Sequence, residues 1–221
     1  MIGAVMCGGL GTRVRSADLA SCEKPLLELE GIAMVDRVLA AMKSSGRFER
    51  LVAIVSPNTP ATRRHVESIG QEYFETAGKG YSRDLAEFLR TCRDQLVMVV
   101  PADICLLDGK LVDSLVSRLS EKKSPATSAV CSLDYVQKLG LTPSVILKRF
   151  EDGEENTCCH SGITLFDTSL IPAEVGKMIG ETYVLIDEVG VAVNVNTIAE
   201  LDLAGRLLVE RPENLAENES L

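Results

Sequence analysis

The chain opens with an apolar run, Ile2 to Cys7, that breaks into three glycines within four residues: Gly8, Gly9 and Gly11. No other feature constrains the fold as much. A short apolar run ended by glycine reads as a buried strand feeding a tight loop. Glycine lets a backbone come close to a ligand and aim its amides at it. Amides presented that way form an anion cradle, as in other phosphate-binding loops. Arg13, just past the loop, and Lys24, in Glu23-Lys24-Pro25-Leu26, add fixed positive charge. Gly8, Gly9, Leu10, Gly11 and Thr12 are therefore candidates to hold a polyphosphate, with Arg13 and Lys24 meeting its charge. The loop is not a Walker A, which needs Gly-Lys-Ser/Thr after its spacer. It is not the dinucleotide fingerprint either, which would need glycine or alanine where Val14 stands.

Composition narrows the partners. The 221 residues carry a net charge of −9 and no basic run, which argues against nucleic acid. Any anionic ligand must be met by local cations, not by the field of the whole protein. No apolar stretch approaches the roughly 20 residues that span a bilayer. No charged segment precedes the first apolar run, as a signal peptide would require. The expectation is a cytoplasmic protein without a membrane span. The seven cysteines are odd in number, and Cys7, Cys105 and Cys131 sit in or beside apolar runs, as reduced core thiols do. Cys158-Cys159-His160 invites a metal reading, but His65 is the only other histidine and no second ligand pair has metal spacing. The same scarcity of histidine argues against a Ser-His-Asp or Cys-His nucleophile.

Short apolar runs alternate with amphipathic stretches, the pattern of an α/β fold: a Rossmann-like, mainly parallel mixed sheet with helices on both faces. Expected strands are Ile2–Cys7, Leu51–Ser56, Tyr73–Thr76, Leu96–Val100, Ala126–Ser132, Val145–Phe150, Cys158–Phe166, Tyr183–Ile186 and Val191–Val195. Glu151-Asp152-Gly153-Glu154 reads as a turn. Expected helices cover Met34–Met42, a segment opened by Thr59-Pro60, a segment capped by Ser82, Lys110–Leu119, and Thr197 to about Val209. One domain over 1–210 is expected, with a nucleotide-binding half (about 1–125) and an acceptor-binding half (126–210). The polar tail, 211–221, is expected to fray.

Further candidates gather where strands end. Asp103 lies just past the apolar run Leu96–Val100, at the sheet edge where open α/β folds bind ligands. Magnesium commonly takes one or two protein carboxylates together with substrate phosphates. Capping of the following turn is the plainer alternative for Asp103. Asn196 follows the last apolar run beside Thr197, the expected helix cap, and Asp187-Glu188 lies one strand earlier, with a solvated turn as its alternative. Gly78, Lys79 and Gly80 form a loop before a helix, and Ser56 and Asn58 close the second strand at the same edge.

Taken together, Gly-Gly-x-Gly-Thr-Arg, a spacer and Glu-Lys-Pro-Leu resemble the signature of sugar-phosphate and molybdenum-cofactor nucleotidyltransferases. The resemblance implies that Arg13 and Lys24 meet the triphosphate and the incoming phosphate. It implies that Asp103 holds Mg2+, with Asn196 or Asp187 as second ligand, and that the loop at Gly78 to Gly80 addresses the base. Ser56-Pro57-Asn58-Thr59-Pro60, Gly78-Lys79-Gly80-Tyr81 with Asp84-Leu85, Ile186-Asp187-Glu188 and Asn194-Val195-Asn196-Thr197 occur in this order. That set resembles the archaeal-type adenosylcobinamide-phosphate guanylyltransferases over roughly residues 1–210. The implied substrates are GTP and a corrinoid phosphate, with Gly162 and Asp187 on the acceptor side. Guanylyl transfer to molybdopterin, nucleotidyl transfer to a sugar 1-phosphate and a non-catalytic nucleotide-binding subunit are the alternatives. Two departures stand out: the nine residues from Val14 to Cys22 between Arg13 and Glu23, and the segment Leu133–Phe150. Oligomeric state is left open, a homodimer included.

Overall fold

The computed structural model describes residues 1–9, 22–143, 145–151, 154–172 and 179–210, without the side chains of 149–151 and 154–155. Leu10, Gly11, Thr12 and Arg13, the spacer to Ser21, the turn residues Asp152 and Gly153, and the tail 211–221 lie outside them.

The first half runs β1 (Ile2–Met6), a 3-10 turn (Lys24–Leu26), β2 (Glu28–Leu29), β3 (Ile32–Ala33), α1 (Met34–Ser44), β4 (Arg50–Val55), α2 (Pro60–Ser68), β5 (Tyr73–Glu75), α3 (Tyr81–Leu89), β6 (Leu96–Pro101) and α4 (Gly109–Ser120). The second half runs β7 (Ala126–Ser132), α5 (Leu133–Lys138), β8 (Ile146–Glu151), β9 (Glu154–Asp167), β10 (Glu181–Leu185), α6 (Val189–Ala192) and α7 (Ile198–Val209). The main sheet has the order β10-β7-β9-β6-β1-β4-β5, with β8 added to β9; β2 and β3 form a separate hairpin. β1 pairs in parallel with β4 and β6, β4 with β5, and β10 with β7, while β9 runs antiparallel to β6, β7 and β8. This is a mixed, mostly parallel sheet covered by helices on both faces, as expected.

The central strands are buried on both sides, so their apolar residues run continuously. In β6, Met98 and Val100 face one core with Val38, Met42 and Leu115, while Val97 and Val99 face the other with Leu85 and Phe88 of α3. Phe88 is fully buried and meets Phe74 edge-to-face with ring centroids 5.3 Å apart. Burying such a ring contributes about 1.5–3 kcal/mol.

Two sequence expectations are corrected here. Val191–Val195 is not a strand: Val189–Ala192 forms the short α6, and the chain then runs irregularly, with Val195 N–H donating to Asp103 C=O at 3.0 Å. An apolar run this short fits a buried turn as well as a strand. Ser82 does not cap α3. Gly80 does, at φ 101°, and it makes no side-chain cap. The segment 133–138, within the stretch that departs from the family pattern, is α5, capped by Ser132, whose hydroxyl accepts from Tyr135 N.

β9 is 14 residues long and decides where the cavity lies. Its C-terminal part pairs with β6 as far as Thr164 opposite Val99, and its N-terminal part pairs with β8 up to Cys159 opposite Ile146. Between these partners the strand kinks at Gly162, at φ 90°, beside a register shift against β7. A Cβ at Gly162 would stand 2.6 Å from Pro101 Cγ, so only glycine fits there.

Candidate active site

Lys24 is the centre of the site. Its ammonium donates to Asp103 Oδ2 in a short ion pair and to Asn196 Oδ1 at 3.0 Å. Three segments distant in sequence thus converge on one charge. Each is held in place locally. Pro25 and the 3-10 turn fix the chain after Lys24. Ala102 N–H donates to Met6 C=O at 3.1 Å, which extends the sheet pairing to the residue before Asp103. The amide of Asn196 has its nitrogen side toward Asn194, bonding Oδ1 at 2.9 Å and the carbonyl at 3.2 Å, which leaves its oxygen toward Lys24. Glu200, in the first turn of α7, accepts from Asn196 N at 2.7 Å, and Thr197 caps that helix through Glu200 N.

Lys24 is anchored by its neighbour. Glu23 reaches across to α2, accepting from Ala61 N and Thr62 N, each at 2.7 Å, and from the Thr62 hydroxyl at 2.7 Å. Thr59, expected as the side-chain cap of this helix, makes no such bond; the carboxylate from a distant segment does the capping. A negative group over the first amides also matches the helix dipole.

The cluster opens into a cavity of about 700 Å³ at the carboxyl ends of β1, β4 and β6. One wall is backbone. Gly8 and Gly9 follow β1, and the buried Ser56 hydroxyl donates to Gly8 C=O at 3.0 Å while accepting from Asn58 N at 3.2 Å. The loop at 76–80 adjoins it on the far side of Ser56 and Asn58. Asn58 Nδ2 donates to Gly78 C=O at 3.3 Å, Ala77 N to Glu87 Oε2 at 3.1 Å, and Lys79 N to Asp84 Oδ1 at 3.0 Å. Lys79, expected beside the base, does not line the cavity: its side chain is exposed and its N–H is taken by Asp84.

The other wall is built from side chains. His160 lines the cavity; its Nδ1 accepts from Gly162 N at 2.9 Å and its Nε2 meets Glu181 Oε1 at 3.0 Å. Glu181 also takes the Tyr183 hydroxyl, at 3.0 Å, and the Ser128 hydroxyl, at 2.5 Å. The His160 bond, with help from Ser128 and Tyr183 and against the effect of burial, lowers the Glu181 pKa to about 2. Tyr81 is half exposed by area, yet its phenol end is enclosed near Asp103 and Glu181, and burial together with those carboxylates raises its pKa to about 12. Burial likewise raises Cys105 and Cys131 to about 12, as expected for inert core thiols.

Of the residues picked from sequence, Gly8, Gly9, Lys24, Asn58, Gly78, Gly80, Asp103, Gly162 and Asn196 line this one cavity. Ser56 supports it from beneath. Asp187 lies elsewhere: its oxygens accept from Ser132 N at 2.7 Å and the Ser132 hydroxyl at 2.8 Å. Leu10, Gly11, Thr12 and Arg13 lie outside the described residues. Glu23, Asp84, His160, Tyr81 and Glu200 had no assigned role in the sequence. Glu23 and Asp84 belong to quoted motifs, and that was the available signal; nothing local marks His160 as a partner of Glu181.

The donor set suits a hard divalent cation, which takes oxygen ligands. Asp103 Oδ1 is buried with no hydrogen-bond partner among the described residues, and a positive charge already sits between Asp103 and Asn196. No group of three or more His, Cys, Asp or Glu residues suited to a metal occurs among the described residues. Any ion here would therefore draw its remaining ligands from substrate and water. No described helix is long and apolar enough to cross a membrane.

Residues 3–160 match the family described as the MobA-like NTP transferase domain. No curated protein sequence matches the chain. Among solved structures, a putative glucose-1-phosphate thymidylyltransferase from Bacillus anthracis superposes with TM-score 0.69 at 14% identity, covering 96% of both chains. A hypothetical transferase from Thermus thermophilus gives 0.65 at 15% identity, over 90% of this chain and 98% of that one. A CMP:2-keto-3-deoxy-manno-octonic acid synthetase complexed with CTP gives 0.64 at 13% identity, over 95% and 98%. At these identities the likeness is one of fold.

Proposed function

The chain belongs to the MobA-like NTP transferase family, and from that premise we propose that it transfers GMP from GTP to adenosylcobinamide phosphate, giving adenosylcobinamide-GDP and pyrophosphate. Nucleotidyl transfer is the chemistry of the family; the guanylyl donor and corrinoid acceptor rest on the ordered motifs around Ser56, Gly78, Asp187 and Asn196. One observation carries the chemical reading: Lys24, Asp103 and Asn196 meet at the seam between a backbone-lined wall and a side-chain-lined wall.

An oxygen of the acceptor phosphate attacks the α-phosphorus of the nucleotide. A new P–O bond forms, the bond from the α-phosphorus to the α,β-bridging oxygen breaks, and pyrophosphate leaves with that electron pair. A phosphate monoester has a second pKa of about 6 and is mostly a dianion at neutral pH. It needs no proton removed, so no general base is required. The difficulty is the approach of two anions and the charge built on the leaving group. On this reading Lys24 neutralises it, and the resemblance implies that the amides of the glycine loop and Arg13 join it. Asp103, with Asn196 beside it, would hold Mg2+, which supplies Lewis-acid neutralisation of the phosphate oxygens. Glu23 keeps Lys24 in position by fastening its segment to α2.

A second reading, nucleotidyl transfer to a sugar 1-phosphate, is favoured by the fold shared with the thymidylyltransferase. Pyrophosphate release decides between them. With GTP, CTP, UTP and ATP offered against each acceptor, GTP with adenosylcobinamide phosphate is expected to turn over fastest. Faster release with a sugar 1-phosphate or with molybdopterin would replace the corrinoid assignment.

A further inference from the structure

Asn194 and Asn196 both line the cavity, two residues apart, with the fully buried Val195 between them. The backbone here is fixed on both sides. Val195 N–H donates to Asp103 C=O at 3.0 Å, and Asn196 N–H donates to Glu200 Oε2 at 2.7 Å. What the backbone leaves open is the last torsion of Asn196. An amide presents nitrogen at one end and oxygen at the other, and that torsion is broad and roughly two-fold. The neighbours settle it. The Asn194 carbonyl can only accept, and it takes Asn196 Nδ2 at 3.2 Å; Asn194 Oδ1 takes the same nitrogen at 2.9 Å. The Lys24 ammonium can only donate, and it meets Asn196 Oδ1 at 3.0 Å. Asn194 thus offers two acceptors to one end of the amide and turns the other end, the oxygen, toward Lys24 and Asp103.

We infer that Asn194 is a positioning residue that holds the Asn196 side chain as an oxygen donor to the cation of the seam. The inference rests on the nucleotidyl-transfer reading above, in which Asp103 and Asn196 hold Mg2+, and goes further by naming the group that makes a neutral amide usable there. Magnesium takes oxygen ligands. A carboxylate at position 196 would need no such partner, since both of its ends are oxygen; an asparagine does. Turned about, Asn196 would aim N–H groups at Lys24 and at the cation, a repulsion on both counts. Partners that orient a metal ligand in this way change metal affinity by about 10- to 100-fold when they are removed.

The test is equilibrium binding of the α,β-methylene analogue of GTP to the full chain, with and without Mg2+. The quantity read is the tightening that the cation confers, the ratio of the two affinities. Asn194→Ala is expected to lower that tightening by roughly 10-fold and to leave binding without Mg2+ close to the wild-type value. In an Asn196→Asp background the same change is expected to have little effect, because either carboxylate oxygen can face the cation. A merely structural role would weaken both backgrounds alike. A tightening unchanged in Asn194→Ala overturns the inference, as does an equal loss with Asn and with Asp at position 196. So does a tightening that survives intact in Asn196→Ala. Should Asn194→Ala fail to fold, Asn194→Leu, similar in shape and without an acceptor, is read in the same way; loss of the fold in both assigns Asn194 to stability and overturns the inference. A wild type that binds no nucleotide, or binds it equally with and without Mg2+, would overturn the reading of the seam itself. That failure shows in the wild type alone and is thus a distinct outcome.

Discussion

The two walls of the cavity are made of different material. One wall is backbone: glycine turns after β1 and β5, steered by carboxylates from other elements, with Glu23 bonding α2 and Asp84 and Glu87 bonding the loop at 76–80. The other wall is side chain: His160 on β9 lines it, held from behind by Glu181, which Tyr183 and Ser128 bond in turn. A backbone wall presents the same amides whatever side chains surround it, which suits the invariant part of a substrate, a triphosphate. A side-chain wall can be rebuilt residue by residue, which suits an acceptor that differs among relatives of one fold. Lys24, Asp103 and Asn196 sit on the seam and belong to neither wall alone.

The largest effect is expected at the seam. Asp103→Ala and Lys24→Ala should each lower turnover by on the order of 100- to 1000-fold, the usual loss for one preorganised charge. The loss should be similar for every acceptor offered. A loss confined to one acceptor would move the residue to the acceptor wall. Next comes Gly162→Ala, where a side chain is forced both into φ 90° and against Pro101. Backbone strain of that kind costs about 1–3 kcal/mol, so thermal unfolding should fall by on the order of 5 °C or more. An unchanged melting temperature would mean the kink is not what separates the walls.

A smaller effect is expected at Glu23. Glu23→Ala removes a helix cap worth about 0.5–2 kcal/mol and frees Lys24, so KM for the nucleotide should rise with a modest drop in melting temperature. A drop in stability with nucleotide KM unchanged would show that Glu23 serves α2 alone. The smallest effect belongs to the acceptor wall. The pKa of Glu181 is lowered to about 2 from an ordinary 4.5. Its stabilisation is therefore full above about 4.5 and is lost as pH falls from there toward 2. Glu181→Gln should flatten the pH dependence of unfolding in that window and leave nucleotide binding alone.

The same division governs how much the sequence disclosed. Strands such as 2–6 and 96–101 were legible because burial on both faces demands continuous runs without charged or strongly polar residues. The backbone wall was legible because positive-φ turns require glycine, which marks Gly78 and Gly80 directly. Asp103 was legible from its place after a strand. The side-chain wall was not. His160 and Glu181 lie 21 residues apart and meet only because β7 sits between β9 and β10. Glu23 over α2 is a contact across 38 residues that leaves no local pattern. Val191–Val195 was misread because a buried turn and a short strand need the same apolar residues.

The account turns on the seam holding a nucleotide together with a divalent cation. Calorimetric titration of GTP into the protein, with and without Mg2+, tests this most directly, using wild type and Asp103→Ala side by side. Cation-dependent binding by the wild type, with that dependence abolished in Asp103→Ala, is the predicted result. Absence of heat with GTP, CTP, UTP and ATP alike, or a cation dependence that survives in Asp103→Ala, would contradict it.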